Sequence, residues 1–304
     1  MNDEIENQDT VPKGHRSGYI ALIGKPNVGK STLINALVGQ KMSIVTAKPQ
    51  TTRHRVLGIL STDEYQAIFL DTPGVLEPKY KLHKAMMRNV YSAVEDADAI
   101  LMLVDVREDP AEVMDLNLLK GKPVFLLINK IDLIPEKEAL PIAQAYSEMH
   151  GFEDIIPISA LKGSNLERLK SLFLSYLPEG PSFYPKEMIS EHPVRFFVAE
   201  IIREKIFEFY SKEIPYSTQV NITVYEERED KKDLIDAEIV IERNSQKGIL
   251  IGKGGSALKR VGTAARKDIE ELIGREVFLQ LHVKVREGWR NHDNLLKSFG
   301  YGGS

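Results

Sequence analysis

The sequence predicts an α/β chain of two domains: a mostly parallel sheet with one antiparallel edge strand, then a smaller α+β module. Three observations carry this. Short, continuous apolar runs alternate with segments of helical spacing from residue 19 to residue 177. Residues 178–193 then hold Pro178, Gly180, Pro181, Pro185 and Pro193 without periodicity, the composition of a linker. Beyond it the order of elements changes.

Residues 19–24 form an apolar run ending in glycine, a buried strand. From Gly29 to Gly39, Leu33, Ile34, Leu37 and Val38 fall at helical spacing, with a glycine stop. Residues 56–60 and 66–70, joined by Ser61-Thr62-Asp63-Glu64-Tyr65, read as a hairpin. Residues 99–104, 124–128 and 155–158 are further apolar runs, each followed by a helical pattern. That alternation implies a parallel sheet covered on both faces. Residues 166–177 close the domain as an amphipathic helix. The second module reads helix (194–210), strand (219–226), charged loop, strand (234–242), helix, glycine turn, helix, strand (277–285). It spans about a hundred residues, a typical domain size. The boundaries are a disordered lead-in over 1–16, a first domain over 17–178, a linker over 179–193 and a second domain over 194–304.

The 304 residues suffice for two cores, and 42% apolar with 28% charged residues is ordinary globular composition. No cysteine is present, which excludes disulfides and cysteine-ligated metals and fits a reducing cytosol. No run approaches the ~20 apolar residues that span a bilayer. A net charge of -4 argues against a general nucleic-acid coat but leaves room for a local basic face.

Two motifs locate the chemistry. Gly24-Lys25-Pro26-Asn27-Val28-Gly29-Lys30-Ser31, followed by Thr32, fits the phosphate-loop pattern between a strand and a helix. Its backbone N–H groups wrap a phosphate, Gly24 and Gly29 permit close approach, Lys30 reaches the β- and γ-phosphates, and Ser31 ligates Mg²⁺. Asn129-Lys130-Ile131-Asp132 is a base-reading tetrad. Asp132 accepts two hydrogen bonds from guanine, Lys130 lies along the base, and Asn129 ties the tetrad to the phosphate loop. Adenine would leave that carboxylate unpaired. Between them Asp71-Thr72-Pro73-Gly74 follows a strand, with Asp71 on Mg²⁺ through a water and the Gly74 N–H on the γ-phosphate. Ser159-Ala160 offers a backbone N–H to the guanine oxygen. The expected ligands are thus GTP or GDP and Mg²⁺.

Together these motifs resemble the translation-factor-type GTPases, and Lys48-Pro49-Gln50-Thr51-Thr52-Arg53-His54 looks like the first switch of the Era subgroup. In that likeness Thr52 is the Mg²⁺ ligand that closes on GTP, with Thr51 the alternative. Lys30, Thr52, Asp71, Gly74 and Asn27 are the candidate catalytic set. Val75 stands where the Ras pattern has a water-orienting glutamine, and valine cannot hold a water by hydrogen bonding. The resemblance implies a substitute: Asn27 occupies the position that ligates K⁺ in several relatives, although it could equally only shape the loop.

In the second module Gly252-Lys253-Gly254-Gly255 is a G-x-x-G turn between helical segments, and the element order resembles a type II KH domain. Such a turn lets the backbone lie against about four nucleotides of single-stranded RNA. Lys253, Lys259 and Arg260 supply a basic environment for phosphates; Arg266 and Lys267 fit that role or a solvated helix face. Trp289 reads as packing or as a base-stacking ring, and Met86 and Met87 as core or switch packing. The seven histidines have no metal-ligand spacing.

A GTPase domain, proline-rich linker and C-terminal KH domain form the Era architecture over about residues 17–301. It implies a bacterial cytosolic GTPase binding the 3′ end of 16S ribosomal RNA in small-subunit assembly, monomeric, with peripheral inner-membrane association in relatives. GTP and Mg²⁺ would order residues 41–55 and 71–90 and change how the domains meet. The alternative is a KH-like module that docks a protein or membrane partner.

Overall fold

The structure, a computed structural model, describes residues 14–46, 48–149 and 151–302. The first thirteen residues of the expected lead-in lie outside these, and Arg16 already opens the first strand. The first domain runs β1 (Arg16–Ile23), α1 (Lys30–Val38), β2 (Val56–Ser61), β3 (Tyr65–Asp71), α2 (Lys81–Asp96), β4 (Ala99–Asp105), β5 (Val124–Asn129), α3 (Glu136–Met149), β6 (Asp154–Pro157) and α4 (Leu166–Leu174). The six strands order as β2-β3-β1-β4-β5-β6, with β2 antiparallel at one edge as the hairpin reading requires. Ile20, Leu22, Phe69 and Leu127 face α1 and α4, while Ala21, Ile23, Leu70 and Ile128 face α2 and α3. Strands buried on both faces explain the unbroken apolar runs.

The register sets the site. Leu22 lies beside Asp71, and Asp105 beside Asn129, so the polar ends of β3, β4 and β5 gather at one edge of the sheet. One element differs from expectation. The helical pattern after β4 folds instead as two 3-10 turns, Pro110–Glu112 and Leu116–Leu119. The Asp109 and Asp115 carboxylates accept from the N–H groups two residues on, at 2.9 Å each, and these local bonds compete with helix propagation.

The second domain runs α5 (Val194–Phe209), α6 (Ile214–Ser217), β7 (Gln219–Glu226), β8 (Asp233–Ile241), α7 (Asn244–Ile251), α8 (Ser256–Ile273), β9 (Val277–Val285) and α9 (Asp293–Ser298). β8 pairs antiparallel with β7 and parallel with β9. Alternate residues Ile235, Ala237, Ile239 and Ile241 pack one sheet face against α5 and α8. The proline-rich segment lies along the edge strand β2: the Ile59 N–H donates to Ile189 O (2.9 Å) and Ser190 Oγ to Leu57 O (2.7 Å).

A fourth apolar cluster joins the domains. Leu82, Ala85 and Met86 of α2 meet Val240, Trp289, Leu296 and Tyr301. Trp289 is fully buried, and its indole N–H donates to Ser217 O (2.8 Å), which resolves it as packing. Met86 faces this seam and Met87 the sheet core. Trp289→Ala should cost about 3–5 kcal/mol of stability in urea unfolding. Trp289→Phe, which keeps a ring but strands the Ser217 carbonyl, should cost about 1–3 kcal/mol.

Candidate functional site

The loop between β1 and α1 depends on glycine where side chains cannot fit. A Cβ on Gly24 would lie 2.3 Å from Leu103 O, and one on Gly29 2.2 Å from Asn129 Nδ2; both have positive φ. Gly74 packs as closely, since its Cβ would meet Pro26 N at 2.5 Å. The phosphate loop is therefore in contact with both the segment after β3 and the tetrad that begins at the end of β5. The Val75 N–H donates to Gly24 O (3.0 Å) and Thr72 Oγ1 to Leu22 O (2.6 Å), closing Asp71-Thr72-Pro73-Gly74 onto β1. α1 begins at Lys30 with Gly29 before it, so its first N–H groups open towards a cavity of about 770 Å³.

Lys30 is buried, and its ammonium donates to the carbonyls of Gly24 and Lys25 at 3.0 Å each. Burial pulls its pKa down to about 8, against the opposing pull of Asp71. A desolvated cation at a helix N-terminus is a receptor for an anion.

Beside it Ser31 Oγ donates to Asp71 Oδ2 (2.8 Å) and lies 2.9 Å from Thr52 Oγ1. Asp71 is fully buried, and its Oδ1 has no partner. Burial pushes its carboxyl up, while Lys30 and Ser31 pull it down. Two hydroxyls and an unsatisfied carboxylate oxygen are the donor set of a hard divalent cation, so these residues fit Mg²⁺. The geometry separates the threonines: Thr51 Oγ1 bonds Lys48 O (2.8 Å) and Thr46 Oγ1 (2.7 Å), away from this corner.

At the base end Asn129 Nδ2 donates to Val28 O (2.7 Å), the tie expected between tetrad and phosphate loop. Lys130, in a left-handed conformation, donates to Asn27 O (2.6 Å) and Asp105 Oδ2 (2.7 Å). Asn27 is itself left-handed, with φ 65°. Ile131 follows as part of a 3-10 turn and packs against the sheet core. The Asp132 carboxylate lines the cavity and accepts from Ser159 Oγ.

The Ser159 and Ala160 N–H groups have protein partners in this structure. The Ser159 N–H donates to Ser164 O (3.3 Å) and the Ala160 N–H to Asn129 Oδ1 (2.9 Å). Ser159 also contributes its hydroxyl, which orients Asp132. Sequence reading missed Ile44, Val45 and Thr46, which line the cavity ahead of Thr52, and Asp105, Arg107 and Glu108 after β4. The signal for Asp105 was its place at a carboxyl strand end, where ligands bind in open α/β sheets.

In the second domain Gly252, Gly254 and Gly255 all have positive φ, and a Cβ on Gly252 would meet Ala257 Cβ at 2.7 Å. Nothing lies within 4 Å of a Cβ on Gly254, so that face of the turn is open. Beside the turn a groove of about 300 Å³ runs between α8 and β9, floored by Leu258, Leu279 and Leu281 and rimmed by Lys259 and Arg266. Lys253 is exposed, and the Arg260 guanidinium lies 4.7 Å above the Phe209 ring.

The two sites are joined by the segment that carries Thr52. Arg53, 1% exposed, donates to Thr218 O (2.7 Å), Pro215 O (3.0 Å) and Tyr216 O (3.1 Å) of the second domain. Lys48 Nζ donates to the carbonyls of Phe207 and Tyr210. His54 stacks on Tyr301 at 4.4 Å, and burial holds its pKa down at about 4, so it is neutral at pH 7. From α2 the Asn89 amide donates to Arg53 O (3.3 Å).

Residues 19–130 match the family described as 50S ribosome-binding GTPase, and residues 213–290 match the KH domain. The chain is 51% identical over 308 residues to a chloroplastic GTPase ERA-like protein of Arabidopsis thaliana, covering 99% of this chain and 72% of that one. It is 45% identical over 291 residues to GTPase Era of Staphylococcus epidermidis, covering 94% and 97%. A solved structure of Era in complex with MgGDPNP and nucleotides 1506-1542 of 16S ribosomal RNA superposes with a TM-score of 0.92 at 42% identity, covering 95% of this chain and 100% of that one.

The depressed Lys30 pKa has a pH consequence. Between about 8 and its ordinary 10.5 the folded, nucleotide-free chain binds fewer protons at Lys30 than the unfolded chain, so stability rises with pH across that window. Denaturant titrations at pH 7.5 and 9.5 should give this rise in the parent chain and lose it in Lys30→Met.

Proposed function

We propose, because the chain belongs to the Era family of GTPases, that it is a nucleotide-gated RNA-binding switch. Its second domain would take the 3′ end of 16S ribosomal RNA, and its cycle would serve small-subunit assembly. The observation that carries this reading is the adjacency of Thr52 and Arg53: one meets Ser31 in the nucleotide corner, the next is buried in the KH domain. The Era complex with MgGDPNP and 16S ribosomal RNA supports the pairing of these two ligands.

In this reading the α1 N-terminus and Lys30 hold the β- and γ-phosphates of GTP, and Gly24 and Gly29 let the backbone approach them. Asp132, oriented by Ser159, accepts from guanine N1–H and N2–H₂, while Lys130 covers the base. Ser31, Thr52 and Asp71 would hold Mg²⁺, which when bound neutralises charge on the phosphate oxygens. Water attacks the γ-phosphate to give GDP and phosphate. The Gly74 N–H loses its phosphate partner and Thr52 its reason to close, and the strain passes to Arg53.

Val75 packs against the sheet core and has no group to orient water, so turnover needs another aid. A K⁺ ion beside Asn27 would serve. At equal ionic strength KCl should then raise turnover about tenfold over NaCl; equal rates would remove K⁺ from the scheme.

The RNA strand would lie on the Gly252–Gly255 turn, its phosphates near Lys253, Lys259 and Arg260 and its bases in the α8–β9 groove. A bacterial cytosolic site of action and a monomeric chain belong to the same proposal. Any contact with the inner membrane would be peripheral, since no helix among the described residues is long and apolar enough to cross one.

The test is fluorescence-detected binding of an RNA matching that 3′ end. Binding should be tighter with a non-hydrolysable GTP analogue than with GDP, and Gly254→Asp should weaken it about tenfold or more through a carboxylate facing phosphates. Gly254 faces open space, and its left-handed φ of 59° costs a side chain about 1–2 kcal/mol, least for Asp and Asn, so the variant should stay folded. RNA binding absent in both nucleotide states would point to a protein or membrane partner, and affinity unchanged in Gly254→Asp would take the RNA off the turn.

A further inference from the structure

The segment after β4 grips the nucleotide site from behind. Asp105 is 8% exposed, and Arg107 binds its carboxylate with Nε (2.9 Å) and Nη2 (2.6 Å). The Arg107 N–H adds a third bond at 3.1 Å, and Lys130 Nζ a fourth at 2.7 Å. Those cations and N–H groups hold the Asp105 carboxyl well below the usual carboxylate range against the effect of burial. Lys130 has a second bond, to Asn27 O in the phosphate loop at 2.6 Å. Glu108, three residues after Asp105, pairs with Lys25 of the same loop at 3.1 Å, and Lys25 also donates to Glu112 O at 2.6 Å.

We infer that Asp105 is a positioning residue for nucleotide retention. Clamped by Arg107, it fixes the Lys130 ammonium between the base tetrad and the phosphate loop, and so sets how long GDP and GTP stay bound. The physical reason lies in the lysine itself. Its side chain is long and flexible, with a strongly hydrated head that prefers water. Lys130 also starts from a left-handed backbone that a non-glycine residue adopts only under constraint. Two charge-assisted or carbonyl acceptors at fixed points remove that freedom before the nucleotide arrives, so binding does not have to order the side chain. Asp105 can serve because β4 and β5 are in register there, with Asp105 directly beside Asn129. Asp132 selects the base, whereas Asp105 acts on Lys130 and so on residence irrespective of which purine is held.

The inference rests on the base-site reading above, and a double-mutant cycle on the full chain separates the two. Release of a fluorescent GDP is timed by stopped flow for the parent, Asp105→Asn, Lys130→Met and the double variant, and affinities for GTP and ITP are measured alongside. Asp105→Asn should speed release about tenfold to a hundredfold, the range for loss of a charged hydrogen bond. It should weaken GTP and ITP by the same factor, leaving their ratio as in the parent, and raise KM far more than it changes kcat. The double variant should release GDP no faster than Lys130→Met alone, because the carboxylate acts through that lysine. Should Asp105→Asn fail to fold, the cycle is run with Asp105→Ser. Lys130→Met without faster release would overturn the base-site reading. Faster release in Lys130→Met with none in the Asp105 variant, or additive effects in the double variant, would overturn this inference alone. A shifted GTP-to-ITP ratio would assign Asp105 to base selection and overturn it as well.

Discussion

Everything in this chain that could respond to a nucleotide depends on how two cations of the first switch segment meet the second domain. Arg53 enters the one-turn helix α6 at its carboxyl end, where carbonyls have no intrahelical partner, and satisfies those of Pro215 and Tyr216 together with Thr218. Lys48 does the same at the end of α5 through Phe207 and Tyr210. In each case a helix end supplies carbonyl oxygens and a partial negative charge. The planar guanidinium of Arg53 matches several such acceptors at once, as an ammonium cannot.

In the proposed switch this contact is the element with two arrangements. Withdrawing Arg53 would leave three carbonyls without their donors in a seam otherwise closed by Trp289, Met86 and Tyr301. Keeping Arg53 in place fixes Thr52, one residue before it, opposite Ser31 and Asp71. In that proposal, occupation of the phosphate corner and docking of the KH domain would bias one element, and each site would alter the other by the same factor. His54 on Tyr301 and Asn89 on Arg53 O extend the contact to the C-terminal segment and to α2, so both switch segments converge on it.

Much of this was legible beforehand, for physical reasons that differ between elements. The doubly covered sheet was readable because its strands are apolar on both faces, and the G-x-x-G turn because only glycine tolerates three positive φ values so close together. Ser31 and Asp71 were read from their motifs and Thr52 from the family resemblance, and the structure brings the three side chains to one corner. The segment after β4 was not readable: its helical spacing is overridden by the Asp109 and Asp115 side-chain bonds, which no periodicity count registers. The partners that the Ser159 and Ala160 N–H groups have here, Ser164 O and Asn129 Oδ1, were likewise not readable, because they are set by loop closure. Nor could spacing foresee the burial of Arg53, which depends on a domain contact 165 residues away in sequence.

The most direct test is the nucleotide dependence of RNA affinity in Arg53→Lys, which keeps the charge and removes the fork. The coupling requires that this variant still bind GTP while the ratio of RNA affinities between the GTP analogue and GDP falls towards one. A ratio as large as that of the parent chain would mean that the nucleotide state reaches the RNA groove by some path other than Arg53.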